Sequence, residues 1–252
     1  MTEGVKQKIM TDRFSLNRNQ LKYLVIVAML IDHIAWAFVP MNSILGQVMH
    51  FIGRLTGPTM AYMLAEGYCY TRNVKKYALR LGIFALLSWI PFVYFLYGSL
   101  PLVIKDNQVS FYPLFGVIYT LLLGLLAIWL WDKGKCSKPV KILGIIGLCL
   151  ISVLGDWAIF DVLYCLFLFV YRQNPRAKWT AFIIITLSHF ITYLNSSSWW
   201  IYNLGIFMVP LIIQFGYNGQ SGSKKSIHKW FFYVFYPAHL LVLGFLRWVV
   251  FA

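Results

Sequence analysis

Three ionisable side chains lie deep within apolar sequence, where chemistry rather than solvation is the expected reason for them. His33 is eleven residues beyond Lys22, Arg54 eleven beyond Ser43 and His239 ten beyond Lys229. A helix rises 1.5 Å per residue and the hydrocarbon core of a bilayer is about 30 Å thick, so all three fall near one depth, the midplane. Burial keeps an imidazole neutral, and a neutral imidazole accepts a proton, which makes His33 and His239 candidates for a general base. An arginine at this depth costs about 2.5–3.5 kcal/mol and so needs a partner or a wet cavity. Asp32 is the partner expected by depth: it would neutralise Arg54 while His33 faces a substrate cavity. His50, one turn from Arg54, lies closer to the outer surface. The bland counterparts are a buried ion pair that fixes helix register and histidines that hydrogen-bond between helices. Pro237, two residues before His239, is the proline expected to serve the site.

A second group lies at the end of an apolar run. Glu66-Gly67-Tyr68 leads into Thr71-Arg72-Asn73-Val74-Lys75-Lys76-Tyr77, with Arg80 a turn further on. Such residues at a membrane surface either fix orientation or bind phosphate. There is no P-loop, dinucleotide fingerprint, metalloprotease pattern or nucleophile elbow. Cys69, Cys136, Cys149 and Cys165 have no C-x-x-C spacing, so no metal site or disulfide framework is expected.

Apolar runs of spanning length fall near 21–39, 44–65, 77–97, 112–131, 140–155, 157–171, 178–194, 199–215 and 230–251. The chain is 60% hydrophobic with only 12% charged residues, a composition that belongs in lipid. Alternate loops carry the positive residues: Lys6 to Lys22, Arg72 to Arg80, Lys133 to Lys141, Arg172 to Lys178 and Lys224 to Lys229. Positive loops stay cytoplasmic, so the net charge of +14 reports orientation and not nucleic acid. The reading is an all-α, polytopic integral membrane protein of about nine transmembrane helices with a cytoplasmic N-terminus. It forms a single transmembrane domain over 1–252, with cytoplasmic segments at 1–20 and 217–229. The fifth and sixth runs, parted by Gly155-Asp156-Trp157, form either a tight hairpin or a re-entrant pair. Gly53, Gly57, Ala61 and Ala65 give the second run a small-residue face for close packing.

The runs LKYLVIVAMLIDHIAWAF, GRLTGPTMAYMLAEGYCYTRNVKKYALRLGIFALLSWIPF, GVIYTLLLGLLAIW and FFYVFYPAHLLVL resemble, in order, the TraX family of membrane proteins. The resemblance implies an acyltransferase of the bacterial inner membrane that takes an acetyl group from acetyl-CoA; the founding member acetylates the N-terminus of conjugative pilin. His33, Arg54, Glu66, Arg72, Asn73, Lys76, Tyr77, Arg80 and His239 occupy the matching motif positions, and TGPTMAY and FDVLY depart from the family's pattern. With that resemblance, basic loops would hold the CoA phosphates and the pantetheine arm would carry the thioester toward His33. His33 would act as base, and Arg54 or His239 would stabilise the oxyanion. The expected partners are acetyl-CoA, membrane lipid and an acceptor protein, glycan or lipid, attacked through an amine or hydroxyl. Two other classes remain open: a small proton-coupled transporter or flippase, since midplane ionisable groups also line solute paths, and a non-catalytic assembly factor.

Overall fold

The computed structural model describes residues 15–105, 108–193 and 197–251. Of the expected N-terminal cytoplasmic segment, residues 1–14, with Lys6, Lys8 and Arg13, lie outside the described residues. The fold is all-α apart from one small hairpin, and each apolar run is helical over most of its length. Three helices are long and apolar enough to cross a membrane: Arg18–Phe38, Val74–Tyr97 and Ser226–Val250, the last including five closing π-helical residues.

Local chemistry sets the ends of these helices. Helix α1 (Arg18–Phe38) starts at a capping box, in which the Asn17 side chain accepts from the Gln20 backbone and the Gln20 side chain accepts from the Asn17 backbone. The second apolar run is broken into α2 (Ile44–Gly53), capped by Ser43, and α3 (Thr56–Tyr70). Pro58 explains the break. It lacks the N–H that would bond the Arg54 carbonyl, and its ring crowds that carbonyl. Arg54 therefore projects from a helix interruption. Helix α4 (Val74–Tyr97) is capped by Asn73, whose side chain accepts from the Lys76 backbone at 2.9 Å.

The stretch expected to begin the fourth span at 112 is instead extended. Strands β1 (Leu102–Lys105) and β2 (Gln108–Phe111) form an antiparallel hairpin with Leu102 opposite Phe111. Pro113 disfavours helix in the residue before it, and Gly116, in extended conformation, caps α5 (Val117–Lys133). Helix α6 (Lys138–Ile151) ends in a 3-10 turn, Ser152–Leu154, and α7 starts only at Phe160 (Phe160–Val170). The loop between them carries two non-glycine residues at positive φ, Trp157 at 56° and Ile159 at 64°. The Phe115 backbone holds that loop, donating to Leu154 and accepting from Asp156. Helix α8 (Pro175–Tyr193) is followed by 3-10 turns over Ser197–Phe207, a single α-turn, and π-helical turns over Ile212–Gly216. The last helix is α9 (Ser226–Phe245).

Helix α4 packs on α5 and α9, α7 on α3, α5 and α8, and α1 on α2. The small-residue face packs as expected: a Cβ at Gly53 would overlap the Asp32 carboxylate, and one at Gly57 would lie 2.8 Å from the Trp157 ring. The exterior is apolar. Ile44, Leu79, Leu86, Leu143, Ile184 and Phe215 are all more than half exposed, and α6 buries only Ile145. Such a surface is at home in hydrocarbon.

Candidate active site

His33 on α1 and His239 on α9 meet in the buried interior. His239 Nδ1 lies 2.8 Å from the Phe235 carbonyl, and its Nε2 lies 3.1 Å from His33 Nδ1. A carbonyl only accepts, so His239 carries its proton on Nδ1. Its Nε2 is then an acceptor, and the proton shared with His33 belongs to His33 Nδ1. Two neutral rings so joined leave a lone pair on His33 Nε2. His33 itself lines the adjoining cavity. His239 itself does not line the cavity, and both its ring nitrogens are engaged.

The cavity, of about 390 Å³, is also lined by Asp32, Arg54, Asp156, Trp157 and His189, with Trp36, Phe92, Phe95 and Phe160 as aromatic walls. The Arg54 guanidinium sits between two rings, 5.0 Å from the Trp157 centroid and 4.9 Å from that of Tyr202. This cation–π clamp holds the charge without a carboxylate. Among the described residues no ion pair reaches Arg54; its Nε is enclosed and unpaired, while the Nη end is open to the cavity.

The expected Asp32–Arg54 pair is therefore corrected. Asp32 bonds His50 instead, through Oδ1 and Nδ1 at 2.8 Å. Depth alone suggested Arg54, but residues 50 and 54 share a depth zone and a helix face, and the close approach of Gly53 sets the carboxylate against His50. Asp156, Trp157, His189 and Tyr202 were not singled out as site residues. They come from the fold-back loop, α8 and the 3-10 segment, which have no chemical motif to mark them.

The other end of the molecule, where the basic loops gather, is built differently. Arg18, Lys22, Arg80, Lys224, Lys225 and Lys229 surround a vestibule of about 380 Å³, with Tyr77 and Tyr233 in its wall. Arg18, Lys22, Tyr77 and Tyr233 also line an adjoining slot of about 170 Å³, whose walls continue as Met60, Met63, Leu64, Leu121 and Phe232. Beyond the slot the rings of Phe232, Tyr236 and His33 follow one another at 6.4 and 6.5 Å. Tyr236 is fully buried, and its hydroxyl accepts from the Val117 backbone at 3.1 Å.

Of the residues expected from the resemblance to bind an acyl donor, Tyr77 and Arg80 line this vestibule. Arg72 and Lys76 are exposed outside it, and Asn73 is spent on capping α4. Glu66 forms a clasp: it accepts from Arg18 Nε at 3.0 Å and from the Tyr217 hydroxyl at 2.8 Å. Lys22, Lys224, Lys225 and Lys229, read from sequence as orientation charges, join the vestibule instead.

A model of the family described as TraX protein matches residues 17–247. The chain belongs to the TraX family. A relative from Dichelobacter nodosus, named probable fimbrial assembly protein FimC, serogroup H1, is 31% identical over 231 residues, covering 89% of this chain and 93% of that protein. No solved structure matches. Both the His33–Arg54 cavity and the vestibule fall within the stretch matched by the TraX family.

Proposed function

We propose that this TraX-family protein is an acetyl-CoA-dependent acyltransferase of the bacterial inner membrane, with about nine spans and a cytoplasmic N-terminus. The observation that carries the reading is the cavity that the His33 imidazole and the Arg54 guanidinium line together, the guanidinium having no ion-pair partner among the described residues. That pairing suits acyl transfer: one group removes a proton from an attacking amine or hydroxyl, and the other offers N–H donors to the oxygen that becomes negative.

The residues at the basic end fit the donor. Six cations, with no free carboxylate among the described residues that line the vestibule, suit a polyphosphate, and the apolar slot beyond suits a slender neutral arm. The bound donor supplies an activated acyl thioester. Arg80, Lys224 and Lys225 hold its charge, and the slot aims it at the Tyr236 layer. His33 Nε2 takes the acceptor's proton, and His239, donating to Phe235, fixes the tautomer that makes this possible. His239 is thus a positioning residue, and Arg54 alone serves the oxyanion. The positive loops support a cytosolic vestibule, with the His33 cavity toward the outer face. The name of the Dichelobacter relative favours a pilin-like acceptor protein over a glycan or lipid.

The test is to incubate purified protein with labelled acetyl-CoA and native membranes, follow CoA release and locate the label. Transfer that disappears in His33→Ala supports the reading; absence of both binding and turnover in the unaltered protein sinks it. The relative's name also supports a second reading, a non-catalytic assembly factor. In that case assembly persists in His33→Ala cells.

A further inference from the structure

Helix α2 packs against the 3-10 segment Ser197–Phe207 along a seam whose polar groups are only partly satisfied. Gln47, His50 and Arg54 are spaced so that they share one face of α2, and together they cover about 10 Å of helix rise. Each has a buried polar atom without a partner among the described residues: Gln47 Oε1, His50 Nε2 and Arg54 Nε. Across the seam, Tyr202 packs on both His50 and Arg54. Next to it Asn203 is fully buried, with neither side-chain atom paired among the described residues. Gly205 backs so closely onto Phe51 that a Cβ would overlap the Phe51 carbonyl.

Buried polar atoms in proteins are nearly always satisfied, by water where no protein group reaches them. A second observation points the same way. Eleven residues of 3-10 turns are unusual, and irregular backbone at membrane depth is tolerated where it is buried in protein or lines water; the unpaired polar atoms beside this segment favour the second. The outer end of the seam is Gln47, whose amide donates to the Met41 carbonyl in the turn before α2. The inner end is Asp32, bonded to His50 on one side and lining the His33 cavity on the other.

We propose that this seam is a hydrated proton outlet, joining Asp32 to the outer surface by a route separate from the cavity mouth. Its hydration stands on the geometry alone; its role rests on the acyl-transfer reading. An amine that arrives as an ammonium must break two N–H bonds. As the C–N bond forms and the thioester C–S bond breaks, one proton goes to the thiolate and the other has to leave. A hydroxyl acceptor breaks one O–H bond and releases no net proton. With an acceptor filling the cavity, Asp32 is the hand-over point, and His50 Nε2 and Gln47 Oε1 mark the way out.

Hydroxyl-radical footprinting of the unaltered protein in nanodiscs reads hydration directly, since side chains beside ordered water are labelled even when buried. His50 and Tyr202 are expected to be labelled at least several-fold faster than Tyr164 and Phe182, which are just as enclosed but lie elsewhere. Equal rates would falsify a hydrated seam. The role is read with Asn203→Leu, checked for a monodisperse fold and, should it fail that check, replaced by Gln47→Leu. Transfer to a small ammonium acceptor should fall about tenfold and transfer to its hydroxyl analogue should not change. Equal losses for both acceptors overturn the outlet. If the unaltered protein turns over neither acceptor, the acyl-transfer reading and the outlet role fail together, while footprinting still decides hydration.

Discussion

The two ends of the molecule hold charge in opposite ways. At the basic end, six cations from α1, α4 and the segment before and at the start of α9 share one vestibule, and Lys224 and Lys225 are exposed on a loop. At the other end one cation among the described residues, Arg54, is clamped between two rings, and the His33 ring is oriented by a chain of two hydrogen bonds. The first arrangement adds up a field and tolerates the loss of one contributor. The second defines positions for individual atoms and does not. Binding belongs to the first kind of site, and bond-making to the second.

Substitutions break or sharpen this contrast. The largest effect is expected from His33→Ala, with kcat for CoA release falling by about 10²- to 10⁴-fold and donor binding unchanged. Arg54→Lys keeps the charge but loses the planar fork held between Trp157 and Tyr202, and kcat should fall by about 10²-fold. His239→Phe removes the ring that His33 Nδ1 bonds, leaving the Met29 backbone as its remaining partner; a loss of roughly 10- to 100-fold in kcat, measured as a rate against pH, is expected of a group that orients another. Arg80→Ala should act on the donor only, raising its KM by up to about tenfold at unchanged kcat. Lys76→Ala is the control, expected to alter neither constant, because Lys76 lies outside the vestibule. An effect of Lys76→Ala as large as that of Arg80→Ala would erase the distinction between vestibule and surface.

Depth was legible in the sequence because it follows from counting residues along an apolar helix, and the structure brings His33 and Arg54 to one cavity and His239 to the ring behind His33. Direction around the helix was not. Asp32 turns to His50, a contact that depends on the absence of a side chain at Gly53. The helix segments were likewise visible as apolar runs, whereas the hairpin at 102–111 and the break at Arg54 arise from prolines and from backbone contacts with distant residues. Loop cations carried two meanings at once. Lys22, Lys224, Lys225 and Lys229 suit both orientation and the vestibule, and only their spatial convergence tells them from Lys76.

The hydrogen bond between His33 and His239 joins residues 206 positions apart, on the first and last of the described helices. During synthesis His33 is made early and waits for its orienting ring until His239 has been threaded into the lipid. The vestibule is completed on the same schedule, because Lys224, Lys225 and Lys229 are made late and Tyr217, 151 residues after Glu66, closes the clasp beside them. On the proposed acyl-transfer reading, a half-made chain therefore has neither an assembled donor site nor an oriented base, and reactivity would arrive with the insertion of the last helix.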